Sequence, residues 1–500
     1  MGAVQSLEKA TAGIKTPATI DFLKSSPKRL LINGKWVAAK SGKTFETVNP
    51  ANEEVLALIA EGDKADVDDA VKAARAAFEG KWSSITPHQR SLYLYKLADL
   101  IEQNADQLAE LESLDNGKPL AIAKVADIPG AARTFRYYAG WPTKIYGETN
   151  PSDPSTFNYT LREPVGVCGQ IIPWNFPLSM ASWKLAPALA CGNTIVLKPA
   201  EQTPLTALRL GELIQEAGIP DGVVNIITGF GPGAGSSIAE HPDVDKVAFT
   251  GSTEVGKLIL RASAGNLKRV SLELGGKSAN IIFRDSDLDA AVQSATRGVF
   301  FNSGQVCTAG TRIFIEQGIY EEFVERLVKH SESMTLGDPL HESTRMGPVV
   351  SKEQFDRVRN YLDIGKSEGA TVATGGDVVS GAGYYVRPTI FAGVHNQMRI
   401  AREEIFGPVG AAIPFKDEAD AVFQGNDTNY GLAAAVWTRD VSRGLKVARA
   451  LRAGTVWINT YGGADPISPF GGYKQSGFGR ELGMHSLELY TQVKSVYVKL

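Results

Sequence analysis

Between residues 165 and 274, short β-branched runs alternate with amphipathic stretches, and few architectures accept that rhythm. The runs are VGVCGQII (165–172), NTIVLK (193–198), VVNIIT (223–228), KVAFT (246–250) and RVSLEL (269–274). PLTALRLGELIQEAG and STEVGKLILRASAG lie between them, with apolar residues at three- and four-residue spacing. Strands joined by helices pair in parallel and carry the helices on both faces of the sheet. Upstream, ADVDDAVKAARAAFEG and RSLYLYKLADLIEQNADQLAELESLDNG read as helical, the second ending on Gly117 followed by Pro119. After LGGK (274–277) a second series begins: ANIIF, RIFIE, PTIFAGV, GAAIPF, AAAVWT and GTVWIN, interleaved with helices such as DLDAAVQSATRGVFF. The expected fold is therefore α/β, with two open-sheet units.

Two segments fit neither unit. TFNYTLRE (156–163) and VKSVYVKL (493–500) alternate in the manner of exposed strands. A small hairpin has little stability alone, and its free edge invites pairing. We read them as an assembly arm, with a surface flap as the alternative.

Composition removes several classes of function. The 52 basic and 55 acidic side chains nearly cancel, leaving a net charge of −3, so no basic stripe points to nucleic acid. No apolar run is long enough to span a membrane. Three cysteines, Cys168, Cys191 and Cys307, cannot build a disulfide framework, which favours a reducing compartment. The start, MGAVQS, fits the loose myristoylation pattern with Gly2 and Ser6; we read it as the weakly structured start of a cytoplasmic protein. The six histidines are scattered without ligand-like spacing, so no metal site is expected.

Cys168 and Cys191 fall in or beside strand and helix patterns and read as small core residues. Cys307 differs. It sits in FFNSGQVCTAG (300–310), among small polar residues and far in sequence from any histidine. A reactive cysteine needs access and a route to its thiolate. VAFTGSTEVGKLIL supplies a strand, a turn from Gly251 to Gly256 and a helix, whose first amides suit a phosphate. The usual dinucleotide fingerprint is absent; GFGPGAGSS comes nearest, with the wrong spacing. An acid that could read a ribose is Glu201 in LKPAEQTP.

Seven blocks then occur in a fixed order: PWNFP (173–177), LKPAEQTP (197–204), FTGSTEVG (249–256), LELGGKSANII (272–282), GQVCTAG (304–310), EEIFGP (403–408) and SPFGGYKQSGFGRELG (468–483). From about Leu31 to the C-terminus the chain resembles the NAD(P)-dependent aldehyde dehydrogenase superfamily. The resemblance implies two Rossmann-like domains: a cofactor-binding one over 1–145 and 164–274, and a catalytic one over 275–475. Segments 146–163 and 485–500 would form a β arm holding a homodimer or homotetramer.

The same resemblance implies the chemistry. Cys307 is the expected nucleophile, passing through a thiohemiacetal and a thioester, and Glu273 is the base that activates water for hydrolysis. Asn175, with the Cys307 backbone N–H, is the expected oxyanion donor. Lys198 and Glu201 match ligands of the cofactor ribose, Ser252 and the adjoining backbone meet the pyrophosphate, and Glu404 with Phe406 hold the nicotinamide end. Ile171, Ile172, Pro173, Trp174, Gly231, Gly235, Phe249, Gly251, Val255, Leu274 and Gly275 complete the expected cofactor cleft. NAD is the expected cofactor, with NADP weaker. Glu481 matches a residue assigned to a proton relay, and a structural ion pair is an equal alternative.

Phe176, Met180, Trp183, Val306, Thr308 and Phe470 are expected to line the aldehyde tunnel. That lining is apolar and partly aromatic, with no Arg or Lys to grip a carboxylate, so uncharged aliphatic or aromatic aldehydes are expected over semialdehydes. Ala464 stands where retinal- and acetaldehyde-type members commonly have a bulky aromatic, implying a wider mouth. Three other classes fit less well. An acylating, coenzyme A-dependent enzyme would generally lack Glu273, a cysteine hydrolase would want a histidine partner, and a non-catalytic binding protein would have lost one of Cys307, Glu273 and Asn175.

Overall fold

The computed structural model describes residues 8 to 500, so the Gly2/Ser6 pattern lies outside the described residues. Two sheets dominate. The first has eight strands in the order Gly477–Phe478, Arg269–Glu273, Lys246–Thr250, Val167–Ile171, Thr194–Lys198, Val224–Ile226, Leu30–Ile32 and Lys35–Val37. The five central strands are parallel and coincide with the five β-branched runs of the sequence. The edge strands are antiparallel additions. From Val167–Ile171 the chain winds outward through Thr194–Lys198 to Val224–Ile226, then returns to the other side with Lys246–Thr250. The reversal opens a crevice at the carboxyl ends of these strands, where open α/β sheets bind ligands.

The second sheet has seven strands, ordered Thr371–Thr374, Thr389–Ala392, Val409–Phe415, Arg312–Glu316, Ala279–Ile282, Ala433–Trp437 and Thr455–Ile458. Only the first of these is antiparallel to its neighbour. The protein is thus α/β with two open, largely parallel sheets, as expected. A third sheet joins Thr491–Lys499 to Thr156–Pro164 over nine residues, with Thr149–Asn150 on its far side. Residues 485–489, which the sequence reading placed in the arm, are a short helix before that strand.

One helical stretch departs from its pattern. The periodic run 90–117 is two helices, Pro87–Gln103 and Ala105–Asn116, broken at Asn104. Asn104 leaves helical geometry (φ −104°, ψ 22°) and its amide donates to the Leu100 carbonyl at 2.8 Å. An asparagine side chain that satisfies a terminal carbonyl competes with helix continuation, and periodicity alone is blind to it. Gly117 ends the second helix in the left-handed region (φ 83°), which glycine adopts without Cβ strain. Cys168 and Cys191 are buried in the core. No described helix is long and apolar enough to cross a membrane.

Candidate active site

A cavity of about 690 Å³ lies between the two large sheets. The eight-stranded sheet contributes its strand carboxyl ends: Pro173 to Phe176 follow Val167–Ile171, Thr250 to Glu254 follow Lys246–Thr250, and Glu273 closes Arg269–Glu273. The seven-stranded sheet contributes loops leading into strand amino ends: Leu274 and Gly275 before Ala279, Val306 to Ala309 before Arg312, and Glu404 with Phe406 before Val409. Cys307, Glu273 and Asn175, far apart in the chain, share this cavity.

The cysteine loop is held by its backbone. Asn302 and Ser303 are left-handed (φ 51° and 56°) and Gly304 continues the turn at φ 74°. A Cβ on Gly304 would come within 2.1 Å of the Gly407 carbonyl, so this close approach requires glycine. Gln305 ties the loop inward through its Oε1, which accepts from Val350 N at 2.9 Å. Beyond the cysteine, Tyr461 Oη donates to the Thr308 carbonyl at 2.6 Å. Cys307 is half-buried between these anchors. Burial, and then the Glu404 and Glu273 carboxylates, push its thiol up to about 12, against a smaller opposing pull from the Thr308 and Cys307 backbone amides. Positive charge and backbone donors are what would favour a thiolate. The backbone donors are present, but among this chain's groups the carboxylates prevail.

Glu273 is buried at 4% exposure, and neither carboxylate oxygen has a hydrogen-bond partner within the protein. Gly471 makes room for it, since a Cβ there would lie 2.7 Å from Oε1. Burial first, and Glu481 second, hold its pKa well above the usual carboxylate range, while Lys184 and Arg480 pull the other way. A buried carboxyl left basic in this way suits a general base. Glu481 is itself buried and ion-paired to Lys184, whose Nζ also donates to Thr250 Oγ1 at 2.7 Å.

Asn175 is fixed from both sides. Its Nδ2 donates to the Gln305 carbonyl at 2.9 Å, and its own carbonyl accepts from Asn302 Nδ2 at 2.8 Å. One of the two amide hydrogens is spent on Gln305, so the other is available to an oxyanion.

The cofactor candidates divide by position. Pro173, Trp174, Gly251, Ser252, Leu274, Gly275, Glu404 and Phe406 line the cavity; Ile171, Ile172, Lys198, Glu201, Gly231, Gly235, Phe249 and Val255 do not. Ile171 nevertheless pairs with both Lys198 and Phe249, which puts all three at one strand-end row beside the cavity. Lys198 Nζ lies 2.9 Å from Glu201, and a Cβ on Gly235 would meet the Lys198 chain at 3.8 Å. A Cβ on Gly231 would meet nothing within 4 Å, so that glycine answers to no contact of the protein itself. Ser252 Oγ caps the Thr253–Ser263 helix by accepting from Val255 N at 3.2 Å, leaving its first turn facing the cavity.

At the other end, Glu404 accepts from Gly276 N at 3.0 Å, and burial raises its carboxyl to about 7. A Cβ on Gly275 would lie 2.1 Å from that carboxylate. Phe406, at φ 61°, turns its ring edge-on to Trp174 with centroids 5.1 Å apart. A helix start for phosphate, a Lys–Glu pair for hydroxyls and a buried acid above a glycine floor fit a dinucleotide.

All six expected tunnel residues line the cavity. Phe176 stacks on Phe301 at 6.2 Å, and Trp183 meets Phe470 edge-on at 5.2 Å. The expectation that the wall lacks cations is corrected: Arg133 and Arg297 line it too, both exposed, as is Ala464. They lie on helices Ile128–Ala139 and Leu288–Phe300, outside every motif block, so position in the motifs could not reveal them.

Other supporting groups also escaped the sequence reading. Lys118 is fully buried between Glu112 (3.2 Å) and Asp127 (2.7 Å), with its ammonium 4.3 Å from the Phe176 ring centroid. Asn116 Nδ2 donates to the Trp174 carbonyl at 2.8 Å. Two signals could have found such groups: a lone lysine inside the apolar helix PLSMASWKLAPALA for Lys184, and the turn-prone Asn-Ser-Gly before the cysteine for Asn302.

A cysteine, an unpartnered buried carboxyl and an amide donor share a cavity with a dinucleotide-shaped cleft between two α/β sheets, the arrangement of a nucleotide-using enzyme. Residues 36–496 match the aldehyde dehydrogenase family. An aldehyde dehydrogenase of Emericella nidulans is 55% identical over 475 residues, 95% of each chain. The human mitochondrial aldehyde dehydrogenase is 54% identical over 94% of this chain and 92% of its own. Among solved structures, the NAD+ complex of an aldehyde dehydrogenase from Bacillus cereus superposes with a TM-score of 0.96 at 53% identity, covering 97% of this chain and 99% of that one. The chain belongs to the aldehyde dehydrogenase family and is an enzyme of that class.

Proposed function

We propose that the protein oxidises an aldehyde to a carboxylic acid with NAD, through a thioester on Cys307 that Glu273-activated water hydrolyses. The observation that carries this reading is the shared cavity of Cys307, unpartnered Glu273 and Asn175 beside a helix start. When bound, oxidised nicotinamide supplies the hydride acceptor and a positive charge. Cys307 Sγ attacks the carbonyl carbon as its proton leaves toward Glu273. The free Asn175 N–H and the Cys307 backbone N–H hold the developing oxyanion, and removing one such donor typically costs about 2.7–4 kcal/mol of barrier. After hydride departure the thioester stays on Cys307. Glu273 then takes a proton from water, the resulting hydroxide adds to the acyl carbon, and Cys307 leaves as a thiolate that regains a proton. Between the two steps Glu273 releases the thiol's proton to solvent, so that it is ionised again when water arrives; the buried Lys184–Glu481 ion pair acts on it through charge alone.

The inner tunnel is apolar and aromatic, which favours aldehydes whose carbon chain next to the carbonyl is uncharged, aliphatic or aromatic. The eight-stranded unit serves the cofactor and the seven-stranded unit carries the nucleophile.

The test is an aldehyde panel assayed for reduced nicotinamide with NAD and with NADP, in the wild type and in Glu201→Gln. A carboxylate accepts from both ribose hydroxyls; a 2′-phosphate removes one donor and adds roughly 1.5 to 2 negative charges. Unit charges about 4 Å apart repel by about 4 kcal/mol at an effective dielectric of about 20. Lys198, 2.9 Å from Glu201, offsets part of this. NAD should be preferred, and Glu201→Gln should lower kcat/KM with NAD while raising it with NADP. No oxidation of any aldehyde would reject the activity, and an unmoved cofactor ratio would reject Glu201 as the ribose reader.

The three-stranded arm supports self-association. It exposes Phe157, Val493, Tyr497 and Leu500, apolar side chains that a monomer leaves in water. Deleting Val493 to Leu500 should shift the particle to smaller species in light scattering. An unchanged mass would remove the arm from assembly.

A further inference from the structure

We propose that the outer end of the cavity selects aldehydes bearing a carboxylate remote from the carbonyl, bound by Arg133 and Arg297. This rests on Cys307 as nucleophile, which fixes the end of the substrate that points inward.

Both arginines line the cavity and are exposed. Arg133 has no hydrogen-bond, ion-pair or ring partner among the described residues. Arg297 lies 5.7 Å from the Phe301 ring centroid and has no carboxylate partner among them. Their neighbours show how unusual that is. Arg136, three residues on in the same helix as Arg133, pairs with Asp99 at 2.7 Å and also with Glu102. Asp289, on the helix of Arg297, is committed to Arg326 at 2.6 Å. Asp127, six residues before Arg133, is buried and bonded to Lys118 at 2.7 Å. Those acids are spent elsewhere, and Gly130, Gly463, Ala464 and Pro466 add no acceptor side chain to the wall; Asp465, between the last two, is exposed, does not line the cavity and accepts from Ile467 N at 3.1 Å.

The wall links this charge to the reacting centre. Arg297 sits over Phe301, Phe301 stacks on Phe176, and Phe176 follows Asn175 in the chain. Arg133 lies on a helix packed against Pro177–Ala190, which carries Met180 and Trp183 into the same wall. A substrate crossing this wall meets apolar surface along its middle and two guanidinium groups at its tail. A guanidinium presents planar paired donors that match a carboxylate, and both arginines are exposed on the wall of the same cavity, unpaired with any acid among the described residues.

The experiment compares aldehydes of stepped chain length that end in a carboxylate with their methyl esters. Each pair is assayed in wild type, Arg133→Gln, Arg297→Gln and the double variant, at low and high salt. At one chain length the acid should exceed its ester in kcat/KM by roughly tenfold, mainly through KM, and each single variant should lose roughly three- to fivefold of that ratio. High salt should erode the preference, because the arginines are exposed. The ratio is internal to each preparation, so a partly unfolded variant still reports it. Acid-to-ester ratios near one at every length, with esters oxidised normally, would overturn the inference alone, as would a ratio unmoved in the double variant. Failure of both acids and esters to be oxidised would overturn the aldehyde-oxidising reading and this inference with it.

Discussion

Cys307→Ala should abolish aldehyde oxidation while leaving the fold and cofactor binding in place. The expected loss is on the order of a million-fold, the scale on which removing the nucleophile disables a covalent enzyme. The fold should survive because the loop does not depend on the thiol. Its geometry comes from left-handed Asn302 to Gly304, from Gln305 bonded to Val350, and from Tyr461 on the Thr308 carbonyl. Thermal unfolding should therefore shift little, and quenching of protein fluorescence by NAD should match the wild type.

The thiol itself should need help to react. With burial and two carboxylates pushing it up to about 12, Cys307 rests as a protonated thiol by this chain's groups alone. Alkylation by iodoacetamide should be slow in the free protein and faster once NAD brings its positive charge beside the sulfur. Near-normal turnover in Cys307→Ala would eliminate the nucleophile assignment.

Central strands such as Thr194–Lys198 and Arg312–Glu316 were legible because each is a short apolar run buried on both faces, a pattern that survives without knowledge of neighbours. Edge strands were not. Gly477–Phe478 is two residues long and is a strand only because Leu272 and Glu273 lie beside it, and the short hairpin of Leu30–Ile32 with Lys35–Val37 joins the sheet only through Leu31 beside Ile226. The motif blocks singled out Cys307, Glu273 and Asn175, which the fold brings to one cavity, whereas the groups that hold them left no such mark. Lys184 and Glu481 meet across 297 residues, and Tyr461 reaches Thr308 across 153. Such pairs are set by tertiary folding and leave little local trace. Arg133 and Arg297 were missed for a different reason: on the sequence each is an ordinary polar residue of an amphipathic helix, and only the fold shows that both line the same cavity.

Glu273→Gln should separate the two halves of the reaction. The amide keeps the volume of the carboxyl, and Glu273 has no protein hydrogen bond to lose, so packing should be conserved. Attack and hydride transfer should still give one equivalent of reduced nicotinamide, while the thioester persists for want of a base. Steady-state turnover should fall by roughly 10²- to 10⁴-fold, the usual contribution of a positioned base. Rapid mixing should show a burst followed by a nearly flat phase, with the acyl group on Cys307 detectable by mass spectrometry.

The pH dependence follows from the same burial. A carboxyl can act as a base only when ionised, and burial with Glu481 nearby raises the pKa of Glu273 well above the usual carboxylate range. Deacylation in the wild type should therefore rise with pH along a limb displaced upward from that range, and the limb should vanish in Glu273→Gln. A burst-free variant that turned over at the wild-type rate, with the limb intact, would place the base on another residue.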